Sequence, residues 1–186
     1  EGFVDENNNP NPDNDYFVVD NVGDAEDVFE DGETHVAINY IVDGGDIDIP
    51  STAAETLYLQ LPDVNAEFTV NVPQQVKKLN IAVPNTNESN VGLNLIVNAP
   101  YSTVDFTGQA AMITSTTAPN TLNLSGANVG TIIVMQGNVV IENKSQVEDL
   151  ENQSGEEVVV YVDKTSTVEE DIDSDFKKIE EPEKIN

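Results

Sequence analysis

Three short segments, LYLQLP (57–62), FTVNVP (68–73) and LNIAVP (79–84), share one pattern and begin 11 residues apart. In each segment, large apolar residues occupy alternate positions, so every second side chain points to the same side of the backbone. A period of two is the signature of a β-strand with one buried face. Self-similarity at a fixed spacing predicts a repeat architecture in which each unit stacks on the next.

The alternation continues along the chain in two interleaved series. One series begins at residues 57, 79, 104, 121 and 139, and the other begins at 68, 93, 112 and 131. Successive members lie 17 to 25 residues apart, which is a typical length for one turn of a β-solenoid, and Pro, Gly and Asn stand at the strand ends where corners need them. We therefore predict an all-β fold, a single-stranded right-handed parallel β-helix of about six to seven coils with capped ends.

An antiparallel β-sandwich is the alternative, because it also combines short strands with regular turns. Asn-Gly or Asp-Gly turns would favour such hairpins, and the chain contains two of them, at Asp31-Gly32 and Asp43-Gly44. The outward positions are mostly Thr, Asn and Ser, which suit the stacked side chains of a solenoid. The pattern therefore favours the solenoid.

The charge divides the chain into three parts. Residues 1–33 carry 12 acidic residues and no Lys, residues 34–166 carry 15 acidic residues and 4 Lys, and residues 167–186 carry 8 and 3. We interpret 1–33 as an acidic leader or linker, partly disordered and able to cap the N-terminal end of the core. Residues 34–166 are predicted to form the β-helix domain.

The last segment admits two interpretations. Ile172, Phe176 and Ile179 are spaced four and three residues apart, as on one face of a helix. Pro182 would end such a helix. We therefore expect residues 167–186 to form either an acidic C-terminal tail or a short helical cap.

Composition limits the chemistry and the partners. The 186-residue chain has 35 acidic residues, 7 Lys and no Arg, for a formal net charge of −28. Proteins that bind DNA or RNA neutralise phosphates with Lys and Arg, and a chain this acidic repels nucleic acid and anionic lipid. We predict no nucleic-acid partner. The absence of Cys excludes disulfide bonds, zinc–thiolate sites and thiol nucleophiles.

Catalytic candidates are few. Asp105 is the one acidic residue inside a central predicted strand, and glycoside hydrolysis needs a second carboxylate about 5 to 10 Å away. His35 is the single histidine, and the chain lacks the Gly-x-Ser-x-Gly turn of a hydrolase nucleophile. We interpret both as surface residues and predict no catalytic residue.

Two segments are similar to calcium sites in part. Asp5 begins a segment with oxygen ligands at the first positions of an EF-hand loop, but Pro10 and Tyr16 stand where that loop needs Gly and Glu. Asp43, Asp46 and Asp48 surround the Gly44-Gly45 turn and could hold a weakly bound ion, but solvated carboxylates are the simpler interpretation. We predict no metal site and no cofactor.

Exposed aromatic rings beside polar groups are the usual mark of glycan binding. Tyr58, Tyr101 and Tyr161 are the candidates in this chain. In the sequence they are scattered and indicate no groove. The binding residues are therefore unknown from the sequence.

The coil segments carry a resemblance. An Asn/Pro/Asp-rich acidic leader is followed by coils such as VKKLNIAVPN (76–85), TLNLSGANVGTIIVMQGNVVIENKSQVEDL (121–150) and EEVVVYVD (156–163). In these features the chain resembles the small exported right-handed β-helix surface proteins of Bacteroides-type bacteria. The resemblance covers residues 35–165, and it implies a secreted or lipid-anchored surface protein of a group whose function is unassigned and whose members are often labelled adhesins.

Location and function follow as expectations. The chain begins at Glu1 rather than Met, which we interpret as the loss of a secretion signal, and no stretch approaches the about 20 apolar residues of a membrane helix. We expect an exported protein, at the cell surface or extracellular, that contacts a membrane only through a lipid anchor outside this sequence. It would be a non-enzymatic adhesion or binding module for an extended partner, either a glycan or a host or bacterial surface protein.

Two alternatives remain open at this point. A carbohydrate-active β-helix enzyme, or its accessory module, would bring two or more carboxylates together in a cleft. A fimbrial-type β-sandwich subunit would pair its strands antiparallel.

Overall fold

Parallel strands wind into a β-solenoid of about eight turns. The computed structural model describes residues 16–84, 92–116, 120–172 and 174–181. The helix α1 (Val22–Glu30) and the following strands lie within those ranges. In chain order the strands are β1 (Phe17–Val19), β2 (Val36–Asn39), β3 (Gly45–Asp48), β4 (Thr56–Gln60), β5 (Glu67–Asn71), β6 (Lys78–Val83), β7 (Asn94–Asn98), β8 (Thr103–Ser115), β9 (Thr121–Val134), β10 (Asn138–Glu142), β11 (Gln146–Asn152), β12 (Val158–Val162), β13 (Thr167–Val168) and β14 (Phe176–Ile179).

The strands stack in two long ladders. The main sheet has the order β1-β2-β4-β6-β8-β9-β10-β12-β14, and a second face is formed by β3, β5 and β7 with the later parts of β8 and β9 and with β11. These are the two series that the spacing predicts, and the prediction of a parallel solenoid is confirmed. Every strand pair in the described ranges is parallel, so the antiparallel sandwich, and with it the fimbrial-type subunit, is wrong.

The β8 and β9 strands each run continuously around a corner of the coil. Their first halves belong to the main sheet and their last residues to the second face. Gly108 lies at the corner of β8 with a φ of 106°, beside a shift in register after Phe106. A Cβ at Gly108 would lie 2.7 Å from the carbonyl carbon of Val83 in the preceding coil and closer still to its oxygen. Only Gly allows the two coils to approach this closely.

The interior is filled by files of apolar side chains, one residue per coil. Phe68 and Phe106 are among the largest side chains with essentially no exposed surface. Burying such a side chain contributes about 1.5–3 kcal/mol. The longest inward file in the main sheet consists of Val19, Ile38, Leu59, Ile81, Phe106, Leu124, Ile141 and Val162. Stacking of like positions therefore builds one continuous core.

The N-terminal end of the solenoid is closed by α1. The Asn21 side chain caps this helix by accepting the backbone N–H of Asp24 at 2.9 Å. Ala25 and Phe29, four residues apart on one helix face, are buried in the core cluster. Because β1 also pairs with β2, the solenoid extends over residues that the charge pattern assigns to the leader. The described ranges hold no helix that is long and apolar enough to cross a bilayer.

At the C-terminal end, the helical interpretation of Phe176 and Ile179 is wrong. These residues bound β14, which pairs with β12, and Phe176 is buried. A strand here supplies hydrogen-bond partners to the open edge of β12, which a helix would leave unpaired. Lys178 stands opposite the core residue Val160 but is exposed, so the last strand places a charge at an inward register position.

A hydrogen-bonded ladder of polar side chains runs along one edge of the second face. Thr116 donates to Asn98, Asn98 donates to Asn71 at 2.6 Å, and Asn71 donates to Asp48 at 2.7 Å. Every donor points toward the N-terminal end, and the ladder ends on a carboxylate. Such a ladder fixes the register of successive coils because each amide needs its neighbour at the correct height.

Candidate functional site

Two outward files of the main sheet lie side by side along the solenoid axis. The first contains Tyr58, Asn80, Asp105, Asn123, Val140 and Tyr161, each in register with the next. The second contains Thr56, Lys78, Thr103, Thr121 and Asn138. We call these eleven residues the lateral strip. Its side chains point outward because they alternate with the core residues of the same strands.

An aromatic cluster occupies the N-terminal end of the lateral strip. The rings of Tyr16 and Tyr58 lie with their centroids 4.2 Å apart and tilted by 45°. Both rings pack against Ala37 and Ala82, two small residues that lie outward yet are buried. Burial, followed by a hydrogen bond to Tyr58 and by its charge, raises the pKa of Tyr16 above its ordinary value. The pair therefore presents aromatic ring surface beside the two alanines.

The centre of the strip is polar and electrically balanced. The carboxylate of Asp105 accepts a hydrogen bond from the Asn123 amide at 2.8 Å and forms an ion pair with Lys78 at 3.1 Å. The side chains of Asp105 and Lys78 are 29% and 52% exposed, respectively. Lys78 and Asp105 are the charged residues of the strip, so their pairing leaves it with no net charge. This contrasts with the net charge of −28 of the whole chain.

Asn80 lies between the aromatic cluster and the ion pair. Its register neighbours are Tyr58 in one coil and Asp105 in the other. The side-chain nitrogen of Asn80 is shielded from solvent and has no hydrogen-bond partner among the described residues. A buried donor without an acceptor costs about 1–3 kcal/mol. The strip therefore contains one unsatisfied polar group beside its aromatic end.

The C-terminal end of the strip is again aromatic. Tyr161 stands in register with Val140, which is buried although it points outward. Five strand steps separate Tyr58 from Tyr161, which is about 24 Å at about 4.8 Å per strand. Two of the three tyrosines that are scattered in the sequence therefore lie in one file.

Tyr101 lies at the corner that leads into β8, two residues before Thr103. Its side chain is 53% exposed, and its backbone has a φ of 62°. This left-handed conformation is unfavourable for a bulky residue. Tyr101 is therefore an exposed aromatic residue in a strained conformation, two residues from the strip in sequence.

The single histidine lies at the surface, beside Thr34 and Tyr16. His35 is exposed, its Nδ1 lies 3.1 Å from the Thr34 hydroxyl, and its ring is 6.4 Å from that of Tyr16. Glu33 accepts the backbone N–H groups of His35 and Thr34, and these bonds lower the pKa of Glu33. Within the described ranges, Asp105 has amides rather than carboxylates as its file neighbours, Asn80 and Asn123.

In the acidic turn near Gly44, one carboxylate takes part in a hydrogen bond between coils. Asp48 accepts the Asn71 amide in the ladder of the second face, and Asp43 and Asp46 are exposed. No group of three or more His, Asp or Glu residues in the part of the chain that the structure describes is arranged to hold a metal ion. The EF-hand-like segment starts at Asp5, and its residues 5–15 lie outside the described residues.

The carboxylate of Asp163 stabilises the chain turn at Asn143 in the preceding coil. This carboxylate accepts the backbone N–H groups of Asn143 and Thr165, each at 2.9 Å. Asn143 and Lys144 have left-handed φ values of 57° and 65°. Desolvation raises the pKa of Asp163, but hydrogen bonds from Asn143, Ser166 and Thr165 outweigh it and lower the pKa to about 2. The role of Asp163 is therefore structural.

A cleft of about 550 Å³ lies at the C-terminal end of the solenoid. Its charged walls are formed by Asp163, Lys164, Glu170, Asp171 and Lys178. Both signs of charge face this space, and its acidic residues have no arrangement suited to a metal. The lateral strip, with its aromatic ends and balanced centre, is the stronger candidate site.

No family model, no curated protein and no solved structure matches the chain.

Proposed function

We propose that the protein is a non-enzymatic binding module that holds an extended partner on its lateral strip, and that it works as an adhesin at the cell surface or outside the cell. The observation that carries this proposal is the alignment of Tyr58 and Tyr161 in one outward file with hydrogen-bonding side chains between them. A solenoid offers a rigid lateral surface that suits elongated partners.

The chemistry of the strip supports binding rather than catalysis. Hydrolysis of a glycosidic bond uses two carboxyl groups, one as acid and one as base or nucleophile. The strip has the single carboxylate of Asp105, and the Lys78 ammonium and the Asn123 amide already occupy its two oxygens. A carboxylate held in this way positions neighbouring side chains.

The charge distribution narrows the class of partner. A net charge of −28 repels anionic polymers over distances of about 8 Å at physiological salt. A neutral partner is not subject to that repulsion, and the balanced strip places no net charge against it. Nucleic acid and strongly anionic glycans are therefore excluded from the proposal.

A binding screen on immobilised glycans and mucin tests the proposal. The full chain is compared with Tyr58→Ala and Tyr161→Ala, and with Ile133→Ala as the matched control. Ile133 is also a half-buried outward residue, but it lies on the second face. We expect binding by the full chain and the control, and a loss of at least about tenfold in both tyrosine variants, because aromatic residues dominate binding energies. Equal binding by all four proteins would exclude the strip.

A further inference from the structure

We propose that the partner is a linear, uncharged polysaccharide that lies parallel to the solenoid axis and occupies two tyrosine subsites at once. This inference rests on the proposed function and adds the chemical class and the orientation of the ligand. The subsites are the Tyr16–Tyr58 cluster at one end of the lateral strip and Tyr161 at the other.

The alternation of side-chain types along the strip matches a sugar chain. A sugar ring has apolar faces that stack on aromatic rings and hydroxyl groups that bond to amides and hydroxyls. Between the two tyrosines the strip provides amides and hydroxyls from Asn80, Asn123, Thr103 and Thr121. Thr103 and Thr121 lie one strand step, about 4.8 Å, apart in their file, and Asn80 and Asn123 lie two steps apart in theirs, with Asp105 between them.

The same alternation disfavours a protein partner. A stable protein interface buries about 800 Å² on each side around a contiguous apolar centre. In the strip the centre is the Lys78–Asp105 ion pair, and the apolar residues lie at the two ends. A globular partner would have to desolvate that ion pair without a compensating apolar contact.

The orientation follows from the direction in which the pattern extends. Along the axis the strip continues over the six strands from β4 to β12. Across the axis, β4 is only five residues long and then turns a corner. A polymer perpendicular to the axis would meet one strand and one tyrosine, whereas a parallel polymer meets both tyrosines.

Two linked subsites give a length dependence that a single site lacks. Once a sugar chain is bound at one tyrosine, its far end is held near the second at a raised effective concentration. An oligosaccharide too short to span about 24 Å fills one subsite at a time. One that spans the strip binds through both, with a gain that can reach about 10²–10⁴-fold.

Asn80 contributes a specific bond near the first subsite. Its side-chain nitrogen is the unsatisfied donor of the strip. Because the nitrogen is shielded, a ligand oxygen can reach it only when the Asn80 side chain changes its rotamer. A hydroxyl group of a sugar stacked on Tyr58 would satisfy this donor and remove the cost of leaving it unpaired.

Isothermal titration calorimetry on the full chain tests the inference. The probes are cello-oligosaccharides and N-acetylglucosamine oligomers, each from disaccharide to octasaccharide. We expect weak binding of the short members in at least one series and a step of at least about tenfold once the oligomer spans both tyrosines. Tyr161→Ala should abolish the step and leave binding of the short members at the first subsite intact. Ile133→Ala should retain the step.

Each other outcome has a definite meaning. Binding without a step, or a step that persists in Tyr161→Ala, overturns the two-subsite geometry and leaves the proposed function in place. Stronger binding of polygalacturonate than of the neutral oligomers overturns the uncharged class. Binding of deglycosylated mucin, with silence from every sugar, overturns the polysaccharide class in favour of a protein partner. Failure to bind any sugar, mucin or mucin polypeptide overturns the proposed function itself. Circular dichroism spectra identical to that of the unmodified chain establish that each variant is folded.

Discussion

Replacing Gly108 by Ala tests how closely neighbouring coils are stacked. The substitution has two costs. The first is the backbone conformation, because a φ of 106° is a Gly region and a side chain there costs about 1–3 kcal/mol. The second is the overlap of the new Cβ with the carbonyl group of Val83, since forcing extra volume into a packed site costs about 1–3 kcal/mol more. We expect Gly108→Ala to lower the free energy of unfolding by about 2–6 kcal/mol in total.

Gly45→Ala is the matched control, because Gly45 has a nearly identical φ of 103° and no atom lies within 4 Å of the point that its Cβ would occupy. It should lose only the backbone cost of about 1–3 kcal/mol. Any gain from restricting the unfolded chain is the same in both variants and cancels in their difference. Urea unfolding followed by circular dichroism, with midpoints and slopes compared, measures both. Equal losses in the two variants would show that the coils do not approach as closely as described.

Three further predictions concern strain, pH and the open edge. Tyr101→Gly should raise the free energy of unfolding by up to about 1 kcal/mol, because it removes a tyrosine from a left-handed backbone conformation. The same change should weaken mucin binding. A loss of stability in urea unfolding would instead indicate that the Tyr101 side chain has a packing role. Asp163→Asn should destabilise the protein at pH 7. Because the pKa of Asp163 is about 2 when folded and about 3.9 in an unfolded chain, its stabilisation is present above the unfolded pKa. The difference in urea midpoint should therefore shrink as the pH falls from about 4 through 2, and a constant difference would contradict the assignment. Lys178→Val should cause end-to-end association in sedimentation experiments, whereas the outward Lys177→Val should not, because only the former completes an apolar edge.

The main ladder and the second face could be predicted because a single signal determines them. Alternation in segments such as 57–62 and 68–73 places one set of side chains on a single apolar face of each strand. Such a face must be buried, and stacking of the strands around a common core buries it. The turns number about eight rather than six or seven, because β1 and β14 add coils beyond the clean repeats. Both strands are short, and too few residues alternate in them to stand out from the acidic segments around them.

The helix and the last strand were not predicted, for opposite reasons. The α1 helix has a local signal, Asn21 three residues before Asp24 and a helical spacing of Ala25 and Phe29, but it lies within an acidic segment that resembles a disordered leader. Phe176 and Ile179 have helical spacing, yet the unpaired edge of β12 decides their conformation. Tertiary hydrogen bonding outweighs a spacing preference of a few residues.

The candidate site could be predicted only in its components. Tyr58 and Tyr161 are visible as aromatic residues at outward positions, but more than 100 residues lie between them in sequence. Their alignment depends on the strand register summed over five pairings, and the coil lengths of 17 to 25 residues hide that register. The charge balance of the strip is hidden in the same way, because Lys78 and Asp105 meet across coils.

The two ends of the solenoid differ from its middle, and this determines where such a protein can grow. A coil added beyond β14 would meet the charge of Lys178, and one added before β1 would meet the helix α1. A coil duplicated between β6 and β8 would find matching strands above and below. Each insertion would move Tyr161 away from Tyr58 by about 4.8 Å. Under the proposed two-subsite geometry, the number of coils would therefore set the length of sugar chain that reaches both tyrosines, in steps of one strand.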